Sequence, residues 1–290
     1  MRKGILLAGG SGTRLYPLTF SVNKHFLNIY DKPMIYYPLS TLMLMGIREI
    51  LIISSKKDLN GFKYIFGNGH QFGIHIEYEI QDKPEGIPQA FIIGKKFLDG
   101  KPSVLILGDN IFHGNELISR FTSLSNLSSG ATLLAYPVRD PERYGVVEFD
   151  KKMKVLNIQE KPLEPKSKYA ITGLYFYDGT VSEKAFSLKK STRGEFEVTE
   201  LNQMYLKENC LKVEIMGRGM AWLDAGTCES LHDASTYIRT LQNRQGIIIG
   251  CIEEIAWRKG WINDHQLEKL SLPLQKNEYG NYLKRLLLGK

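Results

Sequence analysis

The 290 residues, 43% hydrophobic and 24% charged, have the make-up of a soluble globular protein and can bury a sizeable core. The net charge of +7, from 38 Lys and Arg against 31 Asp and Glu, is scattered in pairs such as Lys56-Lys57 and Lys95-Lys96. With no helix-turn-helix, zinc or RNP-like signature beside it, that charge suits small phosphorylated substrates better than nucleic acid. No stretch approaches the roughly 20 apolar residues of a membrane span. The apolar run after Met1-Arg2-Lys3 is too short for a secretory leader, and Cys210, Cys228 and Cys251 are isolated thiols without zinc or disulfide spacing. A cytoplasmic protein without membrane partners is expected.

The chain opens on a short apolar run, Ile5-Leu6-Leu7, that enters Ala8-Gly9-Gly10-Ser11-Gly12-Thr13-Arg14-Leu15. A buried strand followed by a glycine-rich loop offers backbone N–H groups to an anion, and Arg14 adds a fixed positive fork suited to phosphate. Leu15 stands where a dinucleotide fingerprint needs its third glycine, and no Gly-Lys-Ser/Thr follows, so neither that motif nor a P-loop is present. Lys24 follows, as either a surface lysine or a second cation for a polyphosphate; His25 beside it reads as a packing or capping residue.

Pro33 to Met45 reads as a buried helix ending at Gly46, Ile50 to Ser54 as the second strand, Lys56 to Phe66 as a helix and Ile74 to Ile80 as the third strand. Ile87 to Leu98 has helical periodicity, and Val104 to Leu107 is another buried strand. The alternation predicts a doubly wound, mostly parallel, Rossmann-like sheet. Ala131–Val138, Gly145–Phe149, Val155–Gln159 and Tyr169–Tyr177 then follow as strands with little helix between them, an antiparallel extension. A helix over Glu197–Lys207, a strand over Lys212–Met216 and a long helix over Cys228–Arg244 lead into a helical C-terminal part. With no linker or composition break, one α/β domain over 1–290 is expected, with a core over 1–227 and helices over 228–290.

Ligands bind at the carboxyl ends of strands in open α/β sheets, so polar residues there are the candidates. They are the glycine loop, Gln81 and Gly86 after the third strand, Asp109 and Asn110 after Leu107, and Asp224 after Trp222-Leu223. Asp109 and Asp224 together suit Mg²⁺, which takes one or two carboxylates plus substrate phosphates; singly, each fits a helix N-cap. Gln81 can donate and accept, as reading a base edge requires, or can be a plain strand-end amide. Glu160-Lys161 suits a sugar phosphate or a surface ion pair, and Gly145 allows close approach of a ring.

With Leu7-Ala8-Gly9-Gly10-Ser11-Gly12-Thr13-Arg14-Leu15, Lys24, Leu107-Gly108-Asp109-Asn110, Arg143-Tyr144-Gly145-Val146, Glu160-Lys161-Pro162 and Trp222-Leu223-Asp224 assembled, the chain resembles the sugar-nucleotide pyrophosphorylases, and within them the thymidylyl-transferring branch. The resemblance implies Mg²⁺-dependent formation of dTDP-glucose and pyrophosphate from dTTP and glucose 1-phosphate. It implies a nucleotide site of Gly9 to Arg14, Lys24, Gln81 and Gly86, with Arg14, Lys24 and Asp109 catalytic and Asp109 and Asp224 on the metal. Asn110, Gly145, Glu160, Lys161 and Ile171 would contact the sugar phosphate. A homotetramer supplying dTDP-rhamnose synthesis is implied too, with a second nucleotide site at Gly114, Arg218, Glu254, Ile255 and Arg258. The chain departs from the family's usual residues at His25, at Pro88 and at His113. Uridylyl transfer is the neighbouring alternative, because thymine and uracil share a pairing edge; a non-catalytic nucleotide-sugar sensor is the alternative from another class.

Overall fold

The computed structural model describes residues 2–115, 117–126 and 128–289. The strand that begins the chain, β1 (Lys3–Leu7), lies at the centre of the main sheet because it is apolar on both sides: Ile5 and Leu6 point into opposite cores. After the glycine loop come a small hairpin of β2 (Asn28–Ile29) and β3 (Lys32–Pro33), then α1 (Tyr36–Leu44) and β4 (Glu49–Ser54). Next are α2 (Leu59–Phe66), β5 (His75–Ile80), α3 (Gln89–Ile93), α4 (Lys95–Leu98) and β6 (Ser103–Leu107). β1 runs parallel to β4, with Ile5 opposite Leu51, and parallel to β6, with Ile5 opposite Leu105; β5 pairs parallel with β4.

Two of the helical expectations are corrected. The first helix starts at Tyr36, because Pro33 is taken up in the β2–β3 hairpin. The segment 87–98 is two short helices meeting at Gly94, where a side chain would press on Leu51 and Ile5 of the sheet beneath. Pro88 falls at the N-cap of α3, where a backbone N–H has no helical acceptor, so the ring removes no helical hydrogen bond.

The chain leaves the main sheet at Gly108 to form β7 (Asn110–Gly114), followed by α5 (Leu117–Ser125). The extension comprises β8 (Ala131–Pro137), β9 (Gly145–Phe149), β10 (Val155–Glu160) and β11 (Tyr169–Tyr177), then α6 (Val181–Ser187), α7 (Val198–Lys207), β12 (Leu211–Ile215) and β13 (Met220–Asp224). β11 is antiparallel to β6, with Leu174 opposite Ile106, while its earlier residue Ala170 pairs with Val146 of β9. Since β6 ends at Leu107, β9 and β10 take over that edge of β11 beyond the carboxyl end of β6, facing the glycine loop. β8 covers the other edge of β11, and β12 adds to it in parallel. β7 and β13 pair only with each other, antiparallel, with Asp224 opposite Asn110. These two strands, α5 and α6 carry too short an alternation to be read from sequence.

α8 (Cys228–Gln245), α9 (Ile252–Arg258), α10 (Asp264–Ser271) and α11 (Glu278–Leu288) complete the chain. Ile252 and Ala256 of α9 belong to the same buried cluster as Leu6, Leu42 and Phe66, so the helical part shares the core of the α/β part. A doubly wound sheet, parallel in β6-β1-β4-β5 with an antiparallel extension, is the fold expected.

Candidate active site

A cleft of ≈ 460 Å³ opens across the carboxyl ends of β1, β5 and β6, lined on its far side by β9–β10 and the start of α7. Gly10 takes φ 97° and Gly12 φ 63°, which only glycine adopts without strain. Thr19 Oγ1 donates to the Gly12 carbonyl at 2.8 Å and closes the loop. Arg14 is exposed at the cleft's edge; its guanidinium lies against Gly226, where a β-carbon would sit 2.8 Å from Nη2.

The two aspartates, distant in sequence, are brought together by the β7–β13 ladder: Asp224 faces Asn110, and the Ala225 N–H donates to the Asp109 carbonyl at 2.9 Å. Neither is a helix cap, since Asp109 leads into a strand and Thr227 caps α8 in a capping box with Ser230. Asp109 is 8% exposed; Lys24 Nζ lies 2.5 Å from its Oδ2, and Asn110 Nδ2 donates to Oδ1 at 3.0 Å. Burial alone would raise the Asp109 pKa, but Lys24 and the Asn110 hydrogen bond outweigh it and hold the group well below the usual carboxylate range. Asp224 goes the other way: burial, with Asp109 nearby, pushes it up against the opposing pull of Arg143. Tyr144 Oη donates to Asp224 Oδ1 at 3.1 Å, and Arg143 Nη2 is 3.8 Å from Oδ2.

Two carboxylates, one in the turn before β7 and one at the end of β13, with hard oxygen donors and no thiol or imidazole between them, fit a hard divalent cation that completes its shell from phosphate and water. Among the described residues no group of three or more His, Cys, Asp or Glu forms a protein-only cage.

Gly145, Glu160 and Ile171 converge on the far wall. Thr199 Oγ1 donates to Glu160 Oε2 at 2.6 Å, and a β-carbon at Gly145 would stand 3.5 Å from both of those oxygens. Lys161 is exposed at the rim with φ 41°. Asn110 also lines the cleft, and its side chain is engaged within the protein as well. Its Oδ1 accepts from the Gly173 N–H at 3.0 Å and from Trp222 Nε1 at 2.6 Å, and its Nδ2 goes to Asp109. Its amide therefore ties β7, β11 and β13 to the Asp109 carboxylate.

The five residues expected at a second nucleotide site lie in two places in the fold. Gly114 and Arg218 flank one end of the β7–β13 pair, whereas Glu254, Ile255 and Arg258 sit on α9. α1 packs against both β7 and α9. His113 stacks edge-on with Tyr237, their centroids 5.9 Å apart. Tyr144 and Thr199 line the cleft and Gln89 bonds Gln81 from behind it, placements that tertiary contacts make and no local sequence signal marks.

His25 packs under the Gly108 turn, its Nδ1–H donating to Asn23 Oδ1 at 2.7 Å, and burial together with Lys24 lowers its pKa to about 3. The unfolded chain binds a proton near pH 6.5 that the folded one refuses until about pH 3, so stability present above 6.5 is lost as pH falls through that window. His25→Gln is expected to flatten the fall in urea midpoint between pH 6.5 and 4 relative to the wild type. Parallel pH profiles for the two proteins would contradict the buried neutral imidazole.

A match to the nucleotidyl transferase family model spans residues 3–240, and the chain belongs to that family. Within it, the chain is 54% identical to the glucose-1-phosphate thymidylyltransferase of Neisseria meningitidis over 98% of this chain and 99% of that protein. It is 55% identical to that of Xanthomonas campestris, with 98% and 97% covered. A crystal structure from Bacillus anthracis, assigned to the same activity and determined in complex with a sucrose, superposes with a TM-score of 0.77 at 41% identity, covering 82% of this chain and 96% of that one. UDP-glucose pyrophosphorylase bound to UDP-glucose shares the fold, with a TM-score of 0.72 at 21% identity, covering 83% and 100%.

Proposed function

We propose that the protein is an enzyme that transfers a thymidylyl group from dTTP to glucose 1-phosphate, releasing pyrophosphate and forming dTDP-glucose. The observation that carries the reading is the convergence, in one cleft, of a phosphate-ready loop, a buried amide, two carboxylates and a hydroxyl-binding wall. The thymidylyltransferase relatives, matched over nearly the full chain, favour it over uridylyl transfer.

In this reading the loop N–H groups from Gly9 to Thr13 and the Arg14 guanidinium hold the β- and γ-phosphates. Lys24 neutralises the polyphosphate, and Gln81 and Gly86 face the base. Gly145, Glu160 and Ile171 hold the glucose, with Lys161 on its phosphate, so that the sugar-phosphate oxygen attacks the α-phosphorus in line with the departing pyrophosphate. No covalent intermediate is needed; positioning and opposite charge do the work. Mg²⁺, held by Asp109 and Asp224, would supply further neutralisation of the triphosphate.

The product is a precursor of dTDP-rhamnose and related deoxysugars, and a cytoplasmic homotetramer with a second nucleotide site belongs to the same reading. No helix among the described residues is long and apolar enough to cross a membrane. The test is pyrophosphate release with glucose 1-phosphate and each of dTTP, UTP, dCTP and ATP. Release with dTTP ahead of the others is expected; tight dTDP-glucose binding with no release from any would favour the sensor instead.

A further inference from the structure

Gln81 leaves β5 only 4% exposed, and its carbonyl oxygen Oε1 lies over the cleft floor, where a β-carbon on Gly9 would stand 2.0 Å from it. Among the described residues, no hydrogen-bond donor reaches that oxygen. The other end of the amide is tied: Nε2 donates to Gln89 Oε1 at 2.7 Å. The two ends of an amide are alike in shape and opposite in hydrogen-bonding sense, so their partners decide which one faces a ligand.

Gln89 cannot turn round. Its Oε1 also accepts from the Glu85 backbone N–H at 3.0 Å, and its Nε2 donates to Glu85 Oε2 at 3.2 Å. Reversal would set N–H against N–H and carbonyl against carboxylate. Glu85 is itself held at both ends, its carbonyl accepting from the Phe196 N–H at 2.8 Å and its Oε1 from Lys190 Nζ at 2.5 Å. The neighbouring Gly86, at φ 99°, leaves no room to shift, since a β-carbon there would meet the Phe196 carbonyl at 2.1 Å.

We propose that Gln89, polarised by Glu85, is a positioning residue that locks the Gln81 amide with its carbonyl toward the nucleobase, so that the cleft selects a pyrimidine with a ring N–H over one with a ring-nitrogen lone pair. Thymine and uracil offer that N–H; cytosine presents an acceptor there, leaving two buried acceptors face to face. The proposal rests on the nucleobase lying at this end of the cleft, as the thymidylyltransferase reading has it.

The experiment measures kcat/KM for dTTP and for dCTP, with glucose 1-phosphate and Mg²⁺, in the wild type, Gln89→Met and Glu85→Gln. Methionine keeps the length of Gln89 and removes both polar ends, freeing the Gln81 amide to turn. The dTTP-to-dCTP ratio is expected to fall about 10- to 100-fold, mostly through gain with dCTP. Glu85→Gln lets an amide N–H replace a carboxylate oxygen, and a smaller fall of roughly 3-fold or more is expected. Gln89→Met losing both substrates in parallel, with the ratio held within about twofold, would overturn the lock and leave Gln89 a merely structural residue. If Gln89→Met does not fold, by thermal melting, the ratio in Glu85→Gln decides by the same criterion. A wild type that uses neither dTTP nor, in the same assay, UTP would overturn the functional reading and the proposal with it. Normal dTTP preference with unchanged ratios in the variants overturns the proposal alone.

Discussion

Asp109→Asn is expected to lower kcat by about 10³-fold, the scale of removing a group aimed at developing charge. The side chain keeps its shape, and Asn110 Nδ2 still has an oxygen to meet, so the turn after β6 survives. What disappears is the charge that pairs with Lys24 at the cleft floor and that the proposed divalent cation would need. Breaking the pair with Lys24 also removes a buried ion partner, at a cost of about 3 kcal/mol in stability. Urea midpoints measured alongside steady-state kinetics separate the two effects, since about 3 kcal/mol leaves a folded enzyme while the turnover loss persists at saturating substrate. In the wild type, excess chelator is expected to abolish pyrophosphate release, and added Mg²⁺ to restore it. Undiminished turnover in Asp109→Asn would remove the carboxylate from the mechanism, and undiminished turnover in chelator would remove the metal.

How far the sequence led depended on whether the information was local. The buried strand of Ile5-Leu6-Leu7 and its glycine loop were legible because a short apolar run and residues free to take positive φ are signals carried by neighbours in the chain. Gln81, Asp109 and Asp224 were singled out by one rule, that polar residues after buried strands face the crevice, and the cleft contains all three. Asp109 and Asp224 could be paired from sequence by their chemistry, but not the contact that joins them, which comes from a ladder between β7 and β13 whose strands are only five residues each. The same holds for Thr199: its bond to Glu160 depends on α7 crossing β10, a contact with no trace in either segment. Asn110 is similar: its place beside Asp109 puts it at the cleft, but the bonds that Gly173 and Trp222, both far along the chain, make to its oxygen have no local signal. Glycines misled once: Gly94 sits inside a helical period yet two short helices meet there, and a side chain at that point would meet Leu51 and Ile5 of the sheet beneath. Element type followed from local pattern; which polar atoms remain free for a ligand followed from register.

Lys24→Met is expected to cost roughly 10²- to 10³-fold in kcat/KM for dTTP, and to change the pH profile in a direction that simple loss of a phosphate contact would not. In the wild type two opposed influences act on Asp109: burial favours its neutral form, and Lys24 with the Asn110 hydrogen bond favours the ionised form and wins. Methionine occupies the lysine's apolar volume but carries no charge, so burial remains and its main opponent is gone. The carboxyl pKa therefore rises, and the acid limb of kcat/KM moves to higher pH. Lys24→Arg retains the charge while altering reach, so it is expected to return the limb toward its wild-type position without restoring full turnover. Because Lys24 and Asp109 act on the same charge at 2.5 Å, the double variant Lys24→Met, Asp109→Asn is expected to fall far short of the product of the single losses. Multiplicative losses, or an acid limb unmoved in Lys24→Met, would mean that the lysine serves the phosphates alone and that the aspartate keeps its charge without help.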